Sequence, residues 1–231
     1  DSVRISPSSM LSKLDGKSKM GMATTISIFQ FGLKIRDYGA VHLSINERIE
    51  GGMSYPSELL SYLVNGTANF LDETVTQHMS GNLNYYREYG LGYSHRLQIL
   101  GNKELKVGAR VKMLQGVLYA EVNDQAKLSF LTEQERSLMT LGVENFSVRI
   151  AGFEGIEEDV SYLVANGNKG FGLDLGAELA VTDKLNVSFS INDLGGINWE
   201  ESLETQAMND ASLKLDFLDL KNLDQSIDVL T

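Results

Sequence analysis

Residues 85–113 alternate apolar and polar side chains with a period of two on both sides of a turn at residues 101–104. Tyr85, Tyr89, Leu91, Tyr93, Leu97 and Ile99, then Leu105, Val107, Ala109, Val111 and Met113, fall on one face. Glu88, Gly90, Gly92, Ser94, Arg96 and Gln98, then Lys106, Gly108, Arg110 and Lys112, fall on the other. A helix repeats near 3.6 residues and cannot separate these sets, whereas an extended strand does so by its pleat. The stretch reads as an antiparallel hairpin with two unlike faces.

The pattern recurs twice. Ala23, Thr25, Ser27, Phe29, Phe31, Leu33 and Ile35 share a face, with Ile26 and Ile28 as apolar intruders on the other. A turn at 37–39, with Gly39 expected at positive φ, leads back through Val41, Leu43 and Ile45. Phe171, Leu173, Leu175, Ala177, Leu179 and Val181 likewise turn at 182–184 into Leu185, Val187, Phe189 and Ile191. The connections between hairpins are long, at about 50–82, 122–169 and 193–211. In an up-and-down sheet every second connection lies on the same side, so the short turns share one rim and the long loops the other.

The expected organisation is one domain over residues 1–231. Residues 1–20 form an irregular lead-in, and Gly51-Gly52 ends the second strand. A loop over 51–81 carries a helix at 56–65, with Pro56 in its first turn and Gly66 just past its end. A bulge is expected at Leu114-Gln115-Gly116, a loop and hairpin over 122–168, and an acidic loop region over 200–231. The polar stretch before Leu230 predicts that the chain stops before a barrel closes.

Alternation leaves the inside undecided. In a soluble sheet protein the apolar face is the core; in a membrane barrel it meets lipid and the charged face lines the lumen. Three features favour the membrane. The strands exceed the usual five or six residues or so. Tyrosines 85, 86, 89 and 93 gather toward the long-loop end, as an interfacial girdle would. Glycines 90, 92, 108, 170, 172 and 176 sit on the polar face, suiting a crowded interior. The expected fold is all-β, an antiparallel up-and-down transmembrane β-barrel, partial in this chain. Leu91, Val107, Val111, Leu173, Leu175, Val187 and Phe189 would face lipid. Glu88, Arg96, Arg110, Lys112, Asp174 and Glu178 would line the lumen, where they serve equally as a cross-strand ion ladder.

Composition excludes several functions. The net charge of -11 opposes nucleic-acid binding. With no Cys, disulfides and thiolate metal sites are ruled out. His42, His78 and His95 are scattered without metal-ligand spacing, and Glu154, Glu157, Glu158 and Asp159 read as a solvated loop. No Ser/His/Asp set or carboxylate pair stands out, so neither catalysis nor a cofactor is expected. The glycine-rich run 167–172 precedes a strand and is no phosphate loop.

Two blocks carry a family resemblance. One is Tyr86-Arg87-Glu88-Tyr89-Gly90-Leu91-Gly92-Tyr93-Ser94 with Leu105-Lys106-Val107-Gly108-Ala109-Arg110-Val111-Lys112-Met113-Leu114-Gln115-Gly116. The other is Gly170-Phe171-Gly172-Leu173-Asp174-Leu175-Gly176-Ala177 with Asn192-Asp193-Leu194-Gly195 and Ile197-Asn198-Trp199. Tyr55-Pro56 and Asn65-Gly66 fit as well. From Ser27 to Phe217 the chain resembles a Bacteroidota family of outer-membrane β-barrels catalogued as a domain of unknown function, DUF5723-like. Members are longer at both ends, so the resemblance implies an internal portion of such a protein. It also implies contact with membrane lipid and protein partners at the cell surface or in a secretion complex. At fold level it is similar to long-chain fatty-acid transporters and to the type IX secretion shuttle barrel. The expected role is a non-enzymatic outer-membrane barrel that passes small or apolar solutes or acts as a scaffold. The alternative is a soluble extracytoplasmic β-rich domain that binds a partner.

Overall fold

In the computed structural model, the described residues are 17–56, 72, 74–99, 103–133, 138–153, 167–182, 184–208, 210–216 and 229–230. They form thirteen strands: β1 (Lys17–Ile35), β2 (Gly39–Pro56), β3 (Thr74–His78), β4 (Ser80–Ile99), β5 (Lys103–Val122), β6 (Lys127–Glu133), β7 (Leu138–Glu144), β8 (Ser147–Ala151), β9 (Lys169–Thr182), β10 (Leu185–Asn198), β11 (Leu203–Ala207), β12 (Ala211–Asp216) and β13 (Val229–Leu230). The helix expected at 56–65 falls almost wholly outside the described residues, as does the acidic loop at 154–159. Pro56 itself ends β2.

All pairings are antiparallel, and the larger sheet runs six strands wide. It proceeds β1, β2, β4, β5, then β9 with β8 end to end along β5, then β10 with β11. Among the described residues it stays open, with β1 at one edge and β10 and β11 at the other. The second sheet, in the order β3, β6, β7, β12 and β13, continues the first. Its first four strands extend β4, β5, β8 and β11 in the same order, across short interruptions at residue 79 and at 123–126, 145–146 and 208–210. Backbone bonds from Met79 to Ala126, Asn123 to Ser147 and Met208 to Phe146 stitch the interruptions together. Asn145 supplies the left-handed corner, at φ 52, and its N–H donates to the Asp210 carboxylate.

Several expectations are corrected here. Gly51-Gly52 does not end β2, because both glycines stay paired on each side, with β1 and β4. Much of what reads as loop at 51–81 and 200–231 is strand, the hairpin expected within 122–168 is β6 with β7, and the described part of the 1–20 lead-in already belongs to β1. Positive φ at the first tight turn falls on Arg36 rather than Gly39. The bulge in β5 lies at Val117, one residue past the expected site: Tyr85 pairs Leu118 and Tyr86 pairs Gly116. A second bulge, at Ile28, explains the two intruding isoleucines. Ile26 pairs Glu47 and Phe29 pairs Ile45, so the phase slips and both isoleucines end up exposed.

The break between β8 and β9 is built around Asn168, which is fully buried. Its carbonyl accepts Gly116 N–H at 2.8 Å. Its side-chain oxygen accepts the N–H groups of Glu200 and Glu201 at 2.9 Å each, and its amide donates to Glu201 C=O at 3.1 Å. Gly152, at φ 87, turns the chain away against the Val117 carbonyl, where a Cβ would collide. Replacing Asn168 by Ala removes three side-chain hydrogen bonds to the backbone. We expect a loss of about 2 kcal/mol in denaturant unfolding, with a smaller loss for Asn168→Asp, which keeps the acceptor.

Candidate functional site

The two faces of the larger sheet differ in a way that fixes its curvature. Arg48 on β2 and Asp193 on β10 lie four strand spacings apart, about 19 Å in a flat sheet. Their side chains nevertheless pair at 3.3 Å. Arg110 on β5 likewise donates to Ser44 on β2 at 2.8 Å, two strands away. Only a sheet curled with its polar face inward brings these groups together. The polar face is therefore concave, and the apolar face is convex and exposed.

On the concave side, Glu88 is fully buried and Lys112 is 2% exposed. Glu88 accepts from Asn46 at 2.9 Å and pairs closely with Arg110. Its second oxygen stands 3.7 Å from Arg48 and 3.8 Å from Lys112. Lys112 also pairs with Asp174, at 2.5 Å, and with Asp193. Arg48 pairs with Glu50 at 2.5 Å, and Glu50 accepts the Tyr86 hydroxyl at 3.0 Å. Three cations thus alternate with four carboxylates, which reduces the desolvation cost that each charge would meet alone. A Cβ at Gly90 would collide with the Arg110 guanidinium, so that glycine makes room for the ion pair.

Of the six charged residues that sequence alternation places on this face, Glu88, Arg110, Lys112 and Asp174 meet in this cluster. Arg96 and Glu178 do not. They belong to a separate exposed ladder toward the short turns, in which Lys106 holds Glu178 at 2.9 Å and Glu104 lies 3.7 Å from both Arg96 and Lys106. Sequence reasoning missed Arg48, Glu50, Asp193 and Tyr86 as members. Asp193 sits in a bulge at φ 59, which breaks the alternation that would have revealed it. Tyr86, grouped with the tyrosine girdle, instead faces inward and lies 8% exposed, with the Arg48 guanidinium 6.0 Å from its ring centre. The Asn192-Asp193 pair before Leu194-Gly195 was the available signal, since Asn and Asp tolerate left-handed backbone.

Beside the cluster lies a cavity of about 380 Å³ lined by Glu50, Tyr86, Lys112, Leu114, Asp193 and Trp199, among others. The Trp199 ring stacks on Tyr119 with centroids 5.1 Å apart. A larger hollow of about 810 Å³ follows, partly lined by the register row Gly21, Gly52, Asn82, Glu121, Arg149 and Thr205. Here the Tyr119 hydroxyl donates to Glu121 at 2.6 Å, and Arg149 pairs with the same carboxylate. These two contacts hold the Glu121 carboxyl below its usual range. Burial first, then the adjacent carboxylate, pushes the Tyr119 phenol up to about 12. Because the folded state binds the Glu121 proton less tightly than the unfolded chain, the pair's stabilisation is present at neutral pH. It fades as pH falls through the depressed folded value. The unfolding midpoint of Glu121→Gln should therefore lie below that of the parent at pH 7 and converge with it in acid.

On the convex side, Leu91 is 50% and Phe189 65% exposed, and Val111, Leu175 and Val187 are similarly open. Val107 and Leu173 share this face but are half-buried. The band has a polar boundary. Glu47, Arg87, Gln115, Lys169 and Asn198 pair in one register row across β2, β4, β5, β9 and β10. From Tyr89, just inside this row, to Ile99 is ten residues, roughly 33 Å of strand, or about 24 Å if tilted by about 45°.

The sequence model of a family described as "Family of unknown function (DUF5723)" matches residues 1–231. The chain belongs to this family. No curated protein matches this DUF5723 chain, and no solved structure does.

Proposed function

We propose that this DUF5723 chain forms part of the wall of an outer-membrane β-barrel, with its convex face in lipid and its concave face toward the lumen. The observation that carries the reading is the inversion of the two faces: Glu88 and Lys112 are enclosed while Leu91, Leu175 and Phe189 stand open. In water that arrangement exposes a broad apolar surface at a cost of about 25 cal/mol per Å². In a bilayer the same surface is solvated, and the band matches the apolar belt of about 25 Å that such barrels carry. The short turns then lie at the periplasmic rim, and the strand extensions β3, β6, β7 and β12 project from the other.

The protein acts without catalysis in this reading. Its ion cluster ties the concave face together from β2 to β10, which favours a scaffold in a surface or secretion complex. The hollow of about 810 Å³ supports a second reading, passage of small solutes. Fractionation of cells expressing the full-length protein tests the location. It should stay with alkali-washed membranes and be released by detergent; recovery in the soluble fraction sinks the proposal and supports a soluble β-rich binding domain. Conductance across planar bilayers separates the two roles: steady channel currents support passage, and a sealed membrane supports the scaffold.

A further inference from the structure

The convex face is not uniform next to its polar boundary. A groove of about 450 Å³ indents it, lined by Phe29, Leu43, Ile45, Tyr89, Met113 and Phe171, among others. Tyr89, Met113 and Phe171 lie two residues from Arg87, Gln115 and Lys169, about 7 Å along each strand. The groove therefore abuts the polar row. Within the row, Arg87 is committed to Glu47, with Nε donating at 2.7 Å. Gln115 is only 7% exposed, yet its amide nitrogen has no hydrogen-bond partner. Lys169, its neighbour across the β5–β9 pair, is exposed. A buried amide donor without a partner is costly unless something outside the chain accepts from it.

We infer that this patch is a binding site for one phosphate-bearing lipid. An acyl chain lies in the groove, and the headgroup phosphate accepts from Gln115 Nε2 and pairs with the Lys169 ammonium. The charges agree: Glu47 and Arg87 cancel, leaving Lys169 to attract an anion. The apolar groove, and then the row that holds both donor and cation, stand in the order in which such a lipid presents its tail and its phosphate. The site rests on the convex face meeting lipid, and it adds which lipid the face selects and where.

The test floats the full-length protein with phosphatidylcholine vesicles containing phosphatidylglycerol or, in a second arm, diacylglycerol of the same chains. The protein is then extracted in mild detergent and the retained lipid counted by native mass spectrometry. Retention of phosphatidylglycerol should exceed that of diacylglycerol by about tenfold and fall by a similar factor in Lys169→Gln and Gln115→Leu. Lys169→Glu should abolish it. Inorganic phosphate should not compete, because it lacks the chain that fills the groove; competition would reassign the site to free phosphate and overturn the lipid. Equal retention of both lipids, or unchanged retention in the variants, overturns the headgroup site while co-flotation upholds the membrane location. Loss of co-flotation overturns both.

Discussion

Glu88→Ala should destabilise the protein by about 3 kcal/mol or more, the loss expected when one member of a buried charge network is removed. Charge counting alone suggests otherwise, because the cluster's carboxylates already outnumber its cations. Geometry decides. Arg110 has Glu88 as its close partner, while its next carboxylate, on Asp174, stands 3.7 Å away. Asn46 would lose its acceptor as well. Glu50 and Asp193 are held by Arg48 and Lys112, and neither forms an ion pair with Arg110. Denaturant titration in vesicles measures the loss. Pairing Glu88→Ala with Arg110→Ala should recover part of it, since the double variant no longer leaves a buried guanidinium without its counter-ion. Strict additivity of the two variants would mean that the pair does not act as a unit.

The second large effect belongs to the convex face. Leu175 lies near the middle of the apolar band, in the row with Val41, Tyr93, Ala109 and Ile191. An Arg there should cost about 2–4 kcal/mol in a bilayer, the range for a cation at the midplane of a barrel wall. The same substitution on a water-facing surface would stay within about 0.5 kcal/mol. Ser190→Arg, on the concave side of β10, serves as control and should be tolerated. A Leu175→Arg variant as stable as its parent would place this face in water.

The hairpins were legible because alternation survives wherever the strand stays in phase. Leu91, Val111 and Leu175 read as one face, and Glu88, Arg110 and Lys112 as the other, without any knowledge of the fold. What was hidden lies at phase slips. Ile28, Val117 and Asp193 each sit where an extra residue shifts the register, so period counting assigns their neighbours wrongly. The strands β3 and β11 are only five residues long, with turn-forming residues around them, and they pass for loop, whereas β6 and β7 are the hairpin read within 122–168. Curvature was not legible at all. It depends on side chains from distant strands meeting, as Arg48 and Asp193 do, and nothing in local sequence records that meeting.

The central claim concerns which face meets lipid, and a chain without cysteine allows it to be read position by position. A spin label placed singly at each residue from Leu105 to Met113 in vesicles reports collisions with oxygen, which concentrates in lipid, and with a water-soluble nickel chelate. Oxygen access should peak at Val107, Ala109 and Val111, with chelate access confined to Lys106, Gly108, Arg110 and Lys112 or low throughout where the interior is packed. High chelate access at Val107, Ala109 and Val111, with no oxygen maximum there, would place the apolar face in water.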